Sequence, residues 1–325
     1  MAEMITFREG VLEALFEEMR ADPSVILMGE DVGAAGGVFQ QTKGLFEEFG
    51  ARRIVDTPIS ESGAFGMAIG AAMAGMRPVF EVMFGDFMTL CMDQLVNQAA
   101  KVRYMSNGAA TVPLVLRTTM GVGAGLGPQH SQGFHAWAAH VPGLKVVVPS
   151  DAADARVLMK AAIRDDDPVL FFEDRLLYAA KAQARDADER LPLGRGRILR
   201  AGRDVTLVVI GRMVGVARAA AQELAREGIE AEIIDPRSLV PLDEALLLDS
   251  LKRTHRALVM DAAPLRYGVT AEIASVLSEK AFDWLDAPVG RLGAVDTPVP
   301  ISRSLEPFVC PTPAETVRRV RQLLT

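Results

Sequence analysis

Apolar residues recur at Leu12, Leu15, Phe16 and Met19, the spacing of a helix with one buried stripe, and predict an amphipathic helix within residues 5–20. The run Val25-Ile26-Leu27-Met28 that follows predicts a buried strand. The alternation continues. Arg53-Ile54-Val55 ends at Pro58 ahead of an Ala- and Gly-rich helical stretch from Ser60; residues 77–84 form a strand ahead of a helix from Phe87 to about Asn107. Further strands are predicted at residues 112–117, 142–148 and 169–173, with a helix at 152–164 capped at Ser150. Beyond residue 197, strands at 205–210, 231–234, 257–260 and 289–292 alternate with helices at 216–226, 242–252, 271–278 and 314–324, the pattern of a parallel α/β sheet. Between the two series, residues 184–196 turn polar, charged and Gly/Pro-punctuated, as in Arg185, Asp186, Asp188, Glu189, Arg190, Pro192 and Gly194. The expected organisation is α/β throughout: one parallel-sheet domain over residues 1–183, a linker over 184–196, and a second parallel-sheet domain over 197–325.

A chain of 325 residues, half of them hydrophobic, has material for two cores. The formal charge of −7, with no Lys/Arg block, argues against a nucleic-acid partner. No apolar run approaches the ~18 residues that would read as a membrane span, and Met1-Ala2-Glu3-Met4-Ile5 lacks the basic-then-apolar pattern of a targeting segment, so a soluble, cytoplasmic protein is expected. Cys91 and Cys310 offer neither a disulfide framework nor a zinc spacing and read as reduced and structural.

The chemistry concentrates where predicted strands end. Ligands of open α/β sheets bind beyond the carboxyl ends of the strands, and Asp56-Thr57-Pro58-Ile59-Ser60-Glu61 puts a carboxylate there, beside apolar Ile59 and Phe65. By itself Glu61 reads as an acidic residue complementing a helix dipole. Glu30 falls at the end of the preceding strand, where it could line the same crevice as Glu61; it reads first as an acidic turn and stays outside the catalytic set. Met83 and Phe87, at the tip of the next strand, read on periodicity as core. Asp93, Asn97 and Lys101 share a helical face that reads from its spacing as a solvated stripe. Gly121-Val122-Gly123-Ala124-Gly125-Leu126-Gly127 fails as a dinucleotide loop, because Pro128-Gln129-His130-Ser131 stands where a helix is required. It reads instead as a flexible loop carrying His130, an imidazole able to move protons at neutral pH; the remaining histidines, 135, 140 and 255, read as structural or surface residues. Asp165-Asp166-Asp167 after a helix reads as a solvated turn, although free carbonyls at such an end also suit a cation.

Glu61, four residues, Gly66, an apolar residue, two more and Gly70 resembles the pyrimidine-side motif of thiamine-diphosphate enzymes. Together with residues 56–61, the Gln129-His130-Ser131-Gln132 segment and near full-length similarity, it resembles the beta subunit of the thiamine-diphosphate-dependent first component of 2-oxoacid dehydrogenase complexes, of the pyruvate, acetoin or branched-chain type. The resemblance implies a pyrimidine-type domain followed by a transketolase C-terminal-like domain. It also implies that Glu61 activates the cofactor aminopyrimidine, that Ile59, Met83 and Phe87 flank that ring, and that His130 handles protons at the reaction centre. A structural potassium ion would be held by Leu114, Ala162, Ile163, Asp165 and Asp167, mostly through backbone oxygens. The Gly-Asp-Gly segment that holds magnesium and the diphosphate in such enzymes is absent, which implies an alpha subunit supplying that half in an α2β2 heterotetramer. The substrate would be a 2-oxo acid or acetoin, and the acyl group would pass to a lipoyl acyltransferase core. The linker and residues 261–268 depart from the family pattern. A split transketolase-like subunit that moves sugar ketol units and a non-catalytic assembly subunit are the competing readings; a nucleotide-binding oxidoreductase is disfavoured by the failed loop context.

Overall fold

The computed structural model describes residues 3–185 and 189–325; Met1 and Ala2 of the N-terminal run, and Asp186 and Asp188 of the expected linker, lie outside the described residues. The chain divides into two compact units, residues 1–120 with 137–193, and residues 121–136 with 194–325. The loop at 121–136, expected inside the first domain, thus groups with the second unit.

In chain order the elements up to the linker are β1 (Met4–Thr6), α1 (Phe7–Ala21), β2 (Val25–Gly29), α2 (Leu45–Phe49), β3 (Ile54–Asp56), α3 (Glu61–Met73), β4 (Arg77–Val82), α4 (Val102–Met105), β5 (Val115–Met120), α5 (His135–Ala139), β6 (Lys145–Val147), α6 (Ala152–Arg164), β7 (Val169–Asp174) and β8 (Lys181–Gln183). Six strands of the first unit run parallel in the order β6-β7-β5-β4-β2-β3. β1 and β8 form a separate antiparallel pair. The start of α1 is fixed by a capping box, in which the Glu9 N–H donates to Thr6 Oγ1 (3.2 Å) and the Thr6 N–H to the Glu9 carboxylate (2.7 Å). The apolar stripe of α1 packs on α6, with Val11, Leu15 and Met19 meeting Leu158, Met159 and Ile163 in one core. Register brings Gly29 opposite both Asp56 and Glu81, so β3, β2 and β4 end in line.

Three local expectations are corrected. The helix predicted from Phe87 to about Asn107 is a 3-10 helix at Gly85–Cys91, a π-helix at Gln94–Ala99 and then α4. The Ala100 N–H donates five residues back to Leu95 O (3.0 Å), and this widened turn keeps both Leu95 and Ala99 buried. The cap of α6 is Asp151, accepting from the Asp154 N–H at 2.8 Å, rather than Ser150. β5 starts at Val115 rather than Val112, since Pro113 has no N–H to offer the ladder.

The second unit contains β9 (Arg197–Arg200), β10 (Val205–Val209), α7 (Met213–Arg226), β11 (Ala231–Asp235), β12 (Ser238–Val240), α8 (Glu244–Thr254), β13 (Ala257–Pro264), α9 (Val269–Lys280), β14 (Gly290–Ala294) and α10 (Pro313–Leu324). Its five-stranded sheet has the order β14-β13-β10-β11-β9. The first four strands are parallel as expected, and the edge strand β9, inside a stretch with no clear alternation, is antiparallel. Its core joins Leu207, Val209, Ile233 and Met260 to Ala217, Leu224, Val317 and Val320 from α7 and α10. Among the described residues no helix is long and apolar enough to cross a membrane.

Candidate functional site

Three adjacent strands deliver side chains to one edge of the first sheet. After β3, the Thr57 N–H donates to Gly29 O (2.9 Å), Pro58 stops the strand, and α3 begins at Glu61 with the Ala64 N–H donating to Ser60 O (2.9 Å). Glu61 is half-buried at the positive end of this helix. Its charge is felt by two neighbours. The Glu30 carboxyl, just past β2, is raised above the usual carboxylate range by burial and then by Glu61. The Cys91 thiol is pushed up to about 12 by burial first and Glu61 second. Two carboxylates therefore share one field at the sheet edge, a setting in which an added proton or proton-bearing ring is favoured.

Beyond β4, Met83 and Phe87 are both half-buried. The Met83 carbonyl is held by the Thr119 hydroxyl (2.6 Å), and Phe87 stands edge-on to Phe84 with ring centroids 5.6 Å apart. Ile59 is 85% exposed. It belongs to an uncovered apolar surface with Met67, Met73 and Leu90, each more than half exposed, along α3 and the 3-10 helix packed against it. Apart from Glu61, α3 has no charged residue at all.

The Gly-rich segment after β2 is tied to the same edge. The Gly33 N–H donates to Asp56 Oδ1 (2.7 Å), and a Cβ at position 33 would stand 2.5 Å from Asp56 Oδ2, so any larger residue there must displace the carboxylate that holds its own N–H. Gln41 accepts from the Phe39 N–H (2.8 Å) and donates to Glu81 Oε1 (2.7 Å). Behind it lies a fully buried charge cluster. Arg117 donates two hydrogen bonds to Glu173, at 2.8 and 2.9 Å, and one to Glu81, at 2.9 Å, while the Tyr178 hydroxyl donates to Glu173. One guanidinium faces two carboxylates. Glu173 receives the bidentate bond, and Glu81, desolvated and beside a like charge, is pushed up to about 7.

The carbonyls at the α6 terminus converge on a cation. Arg77 Nη1 donates to Ile163 O (3.1 Å) and Asp165 O (3.0 Å), while Lys145 Nζ pairs with the carboxylates of Asp165 (2.7 Å) and Asp167 (3.2 Å). Leu114 O accepts from the Val169 N–H and Ala162 O from the Asp165 N–H. Each of these five positions already carries a hydrogen bond or ion pair. The acidic turn is accordingly bridged by Arg77, Arg103 and Lys145 rather than simply solvated. On the neighbouring stretch, Asp93 accepts from Asn97 (2.7 Å) and Lys101 donates to Pro142 O (2.5 Å).

His130 is half-buried in the 121–134 loop of the second unit. Within that unit the Glu306 carboxylate accepts from the N–H groups of Gly123 (3.1 Å) and Gly125 (2.9 Å), which anchors the start of this loop. His135, five residues on, is buried with Nε2 2.7 Å from Asp261 Oδ2, a pairing that sequence reasoning missed because Asp261 lies 126 positions away. Cys91, read from sequence as structural, is likewise a neighbour of Glu61, and Glu30, whose position after a buried strand suggests the same crevice, stands within its field although it reads first as an acidic turn.

Residues 3–181 match the transketolase pyrimidine-binding domain family and residues 194–315 the transketolase C-terminal domain family. The chain is 46% identical to the beta subunit of acetoin:2,6-dichlorophenolindophenol oxidoreductase of Bacillus subtilis, covering all of this chain and 98% of that one. It is 46% identical to a mitochondrial pyruvate dehydrogenase E1 component subunit beta-2 of rice, over 99% of this chain and 86% of that one. The Rhizobium meliloti pyruvate dehydrogenase E1 beta subunit is 44% identical, over 99% of this chain and 70% of that one. Among solved structures it resembles a split-gene transketolase recorded as an inactive beta4 tetramer, with a TM-score of 0.79, 26% identity and 98% coverage of both chains. Two matched domains, full-length similarity and a carboxylate-bearing sheet edge place the chain in the beta-subunit family of the thiamine-diphosphate-dependent first component of 2-oxoacid dehydrogenase complexes, which includes the pyruvate and acetoin types.

Proposed function

We propose that this chain is the beta subunit of a pyruvate- or acetoin-type dehydrogenase, with Glu61 as the residue that activates the aminopyrimidine of thiamine diphosphate. The observation that carries this reading is Glu61 at the end of β3, at a helix N-terminus and close enough to Glu30 to raise it. Bound thiamine diphosphate supplies a carbon nucleophile able to accept the acyl unit of a 2-oxo acid or the cleaved half of acetoin. The chain's own part is to hold the pyrimidine half. Glu61 exchanges a proton with the ring nitrogen, and Met83, Phe87 and Ile59 supply apolar surface that excludes water. His130 is assigned to proton handling at the reacting acyl group.

The uncovered face of α3 supports an alpha partner. A helix without charges beyond its first residue, with Ile59 and Met67 exposed, calls for a surface that this chain does not supply. That partner would bring the Gly-Asp-Gly segment with its magnesium, complete an α2β2 heterotetramer, and act with a lipoyl acyltransferase that receives the acyl group. Potassium belongs to the same reading, using the second lone pairs of the carbonyls of Leu114, Ala162, Ile163 and Asp165, with Asp167 beside them.

The test is Glu61→Gln, co-expressed with the alpha partner and assayed with pyruvate, branched-chain 2-oxo acids and acetoin. Turnover should fall by roughly 10²–10⁴, the range of a positioned acid–base group; near-normal cofactor-dependent activity refutes the assignment. The structural likeness to a split-gene transketolase keeps a ketol-transferring subunit as a second reading. It predicts sugar-phosphate transfer without release of carbon dioxide.

A further inference from the structure

The loop that carries His130 is tied down at two feet, and His130 stands midway, five positions beyond Gly125 and five before His135. The contacts at both feet lie within the second unit. At the near foot, Val122 is buried in a small apolar core with Ala294, Val299 and Val309. The Gly123 and Gly125 N–H groups then converge on the Glu306 carboxylate, one on each oxygen. Their φ angles, +120° at Gly123 and +71° at Gly125, suit glycine alone among ordinary residues. Backbone amides converging in this way make an anion-binding concavity, and here the protein's own side chain fills it. At the far foot, His135 Nε2 lies 2.7 Å from Asp261 Oδ2 with both side chains buried, which pins the loop to β13.

Glu306 is itself firmly placed. It is 4% exposed and opens the 3-10 turn Glu306–Phe308. The Glu306 N–H donates to Ser302 O (3.0 Å), the Val309 N–H to Glu306 O (3.0 Å) and the Val295 N–H to Val309 O (2.9 Å), so the segment 295–309 closes on itself. The same segment runs beside the loop, with Arg303 bordering Gly125 and Ile301 bordering Gly127. Hydrogen bonds to a carboxylate are stronger than those between neutral groups, and two of them fix direction as well as distance. The near half of the loop therefore takes its position from Glu306.

We infer that Glu306 is a positioning residue for His130: by holding two backbone amides of the loop, it sets where the imidazole stands. The inference rests on the reading of His130 as the group that handles protons at the acyl unit, and it adds the residue on which that group's geometry depends. Glu306 acts through the backbone of the loop rather than on the substrate.

Two variants test this. Glu306→Gln keeps the length of the side chain but turns an NH2 toward one of the two glycine N–H groups, and Glu306→Ala removes both acceptors. Diethyl pyrocarbonate labelling of the full chain, followed by peptide mapping, reads the His130 imidazole without turnover. The ring is half-buried, so a loosened loop should speed its modification by about twofold or more, while exposed His140, outside the loop, keeps its rate. Where Glu306→Ala does not fold, Glu306→Gln carries the measurement. In the complex with the alpha partner, assayed on pyruvate and acetoin, Glu306→Gln should lower kcat roughly 10- to 10²-fold, the cost of a catalytic group misplaced by about an ångström. On a His130→Ala background the same change should cost less than about twofold, because the group it positions is gone. A lesion that merely weakens the fold would cost as much on either background. Unchanged His130 labelling in the Glu306 variants, or a full further loss of kcat in the double variant, overturns the inference. Full activity of His130→Ala instead refutes the role assigned to His130 under the proposed function, and the labelling then decides by itself whether Glu306 places the ring.

Discussion

Glu81→Gln tests how the buried cluster under the candidate site is charged. In the folded chain Glu81 titrates at about 7, against an ordinary value of 4.5. A carboxyl whose pKa is raised on folding holds its proton longer in the native state, so between those two values the folded chain binds more protons than the unfolded one. Its stability contribution is therefore present at low pH and is lost as pH rises toward 7. From about pH 5.5 to about pH 8, linkage through this group removes about 2 kcal/mol. Glutamine abolishes that titration. It also presents an NH2 to Gln41 Nε2 or to Arg117 where a carboxylate oxygen accepted both, and Gln41 cannot reverse because its own oxygen serves the Phe39 N–H. The variant should thus be less stable at every pH by roughly 1–3 kcal/mol, the cost of a mispaired buried polar group. The diagnostic quantity is the slope. Urea unfolding at several pH values should give wild type minus variant stability that shrinks by about 2 kcal/mol from the acidic to the alkaline end. Parallel pH profiles for the two proteins would show that Glu81 is ionised throughout, with Arg117 neutralising both carboxylates.

Three further outcomes are expected. Glu61→Gln with the alpha partner should lose roughly 10²–10⁴ in turnover while leaving the urea midpoint nearly unchanged, since the side chain is only half-buried. Gly33→Ala must push a Cβ against Asp56, 2.5 Å from Oδ2; urea unfolding should show a loss of about 1–3 kcal/mol, and hydrogen exchange should show earlier opening of the backbone N–H at position 33. Replacing sodium by potassium at ten times its dissociation constant should add about 1.4 kcal/mol, visible as a rise of a few degrees in melting temperature. Identical melting in the two salts would remove potassium from the reading.

Much of this molecule was legible in one dimension because parallel α/β architecture writes itself locally. Each buried strand is a short apolar run and each covering helix has its own period, as with residues 25–28 and 152–164, where predicted and observed elements nearly coincide. The position of Glu61 was legible for the same reason: a strand, a proline and a helix start place a carboxylate at a sheet edge whatever the rest of the chain does. Other features exist only after folding. The π-helix at Gln94–Ala99 satisfies the burial of Leu95 and Ala99 together, a demand set by their neighbours and invisible in a helical pattern. The raised Glu30 follows from β2 and β3 being adjacent in the sheet, which the chain order of strands does not state. Arg117 could not be seen as the partner of Glu81 and Glu173, because those residues stand 36 and 56 positions away and meet it only through the register of β4, β5 and β7. Hydrophobic period is a property of neighbours along the chain, whereas charge state depends on distance and dielectric in space, and only tertiary structure sets those.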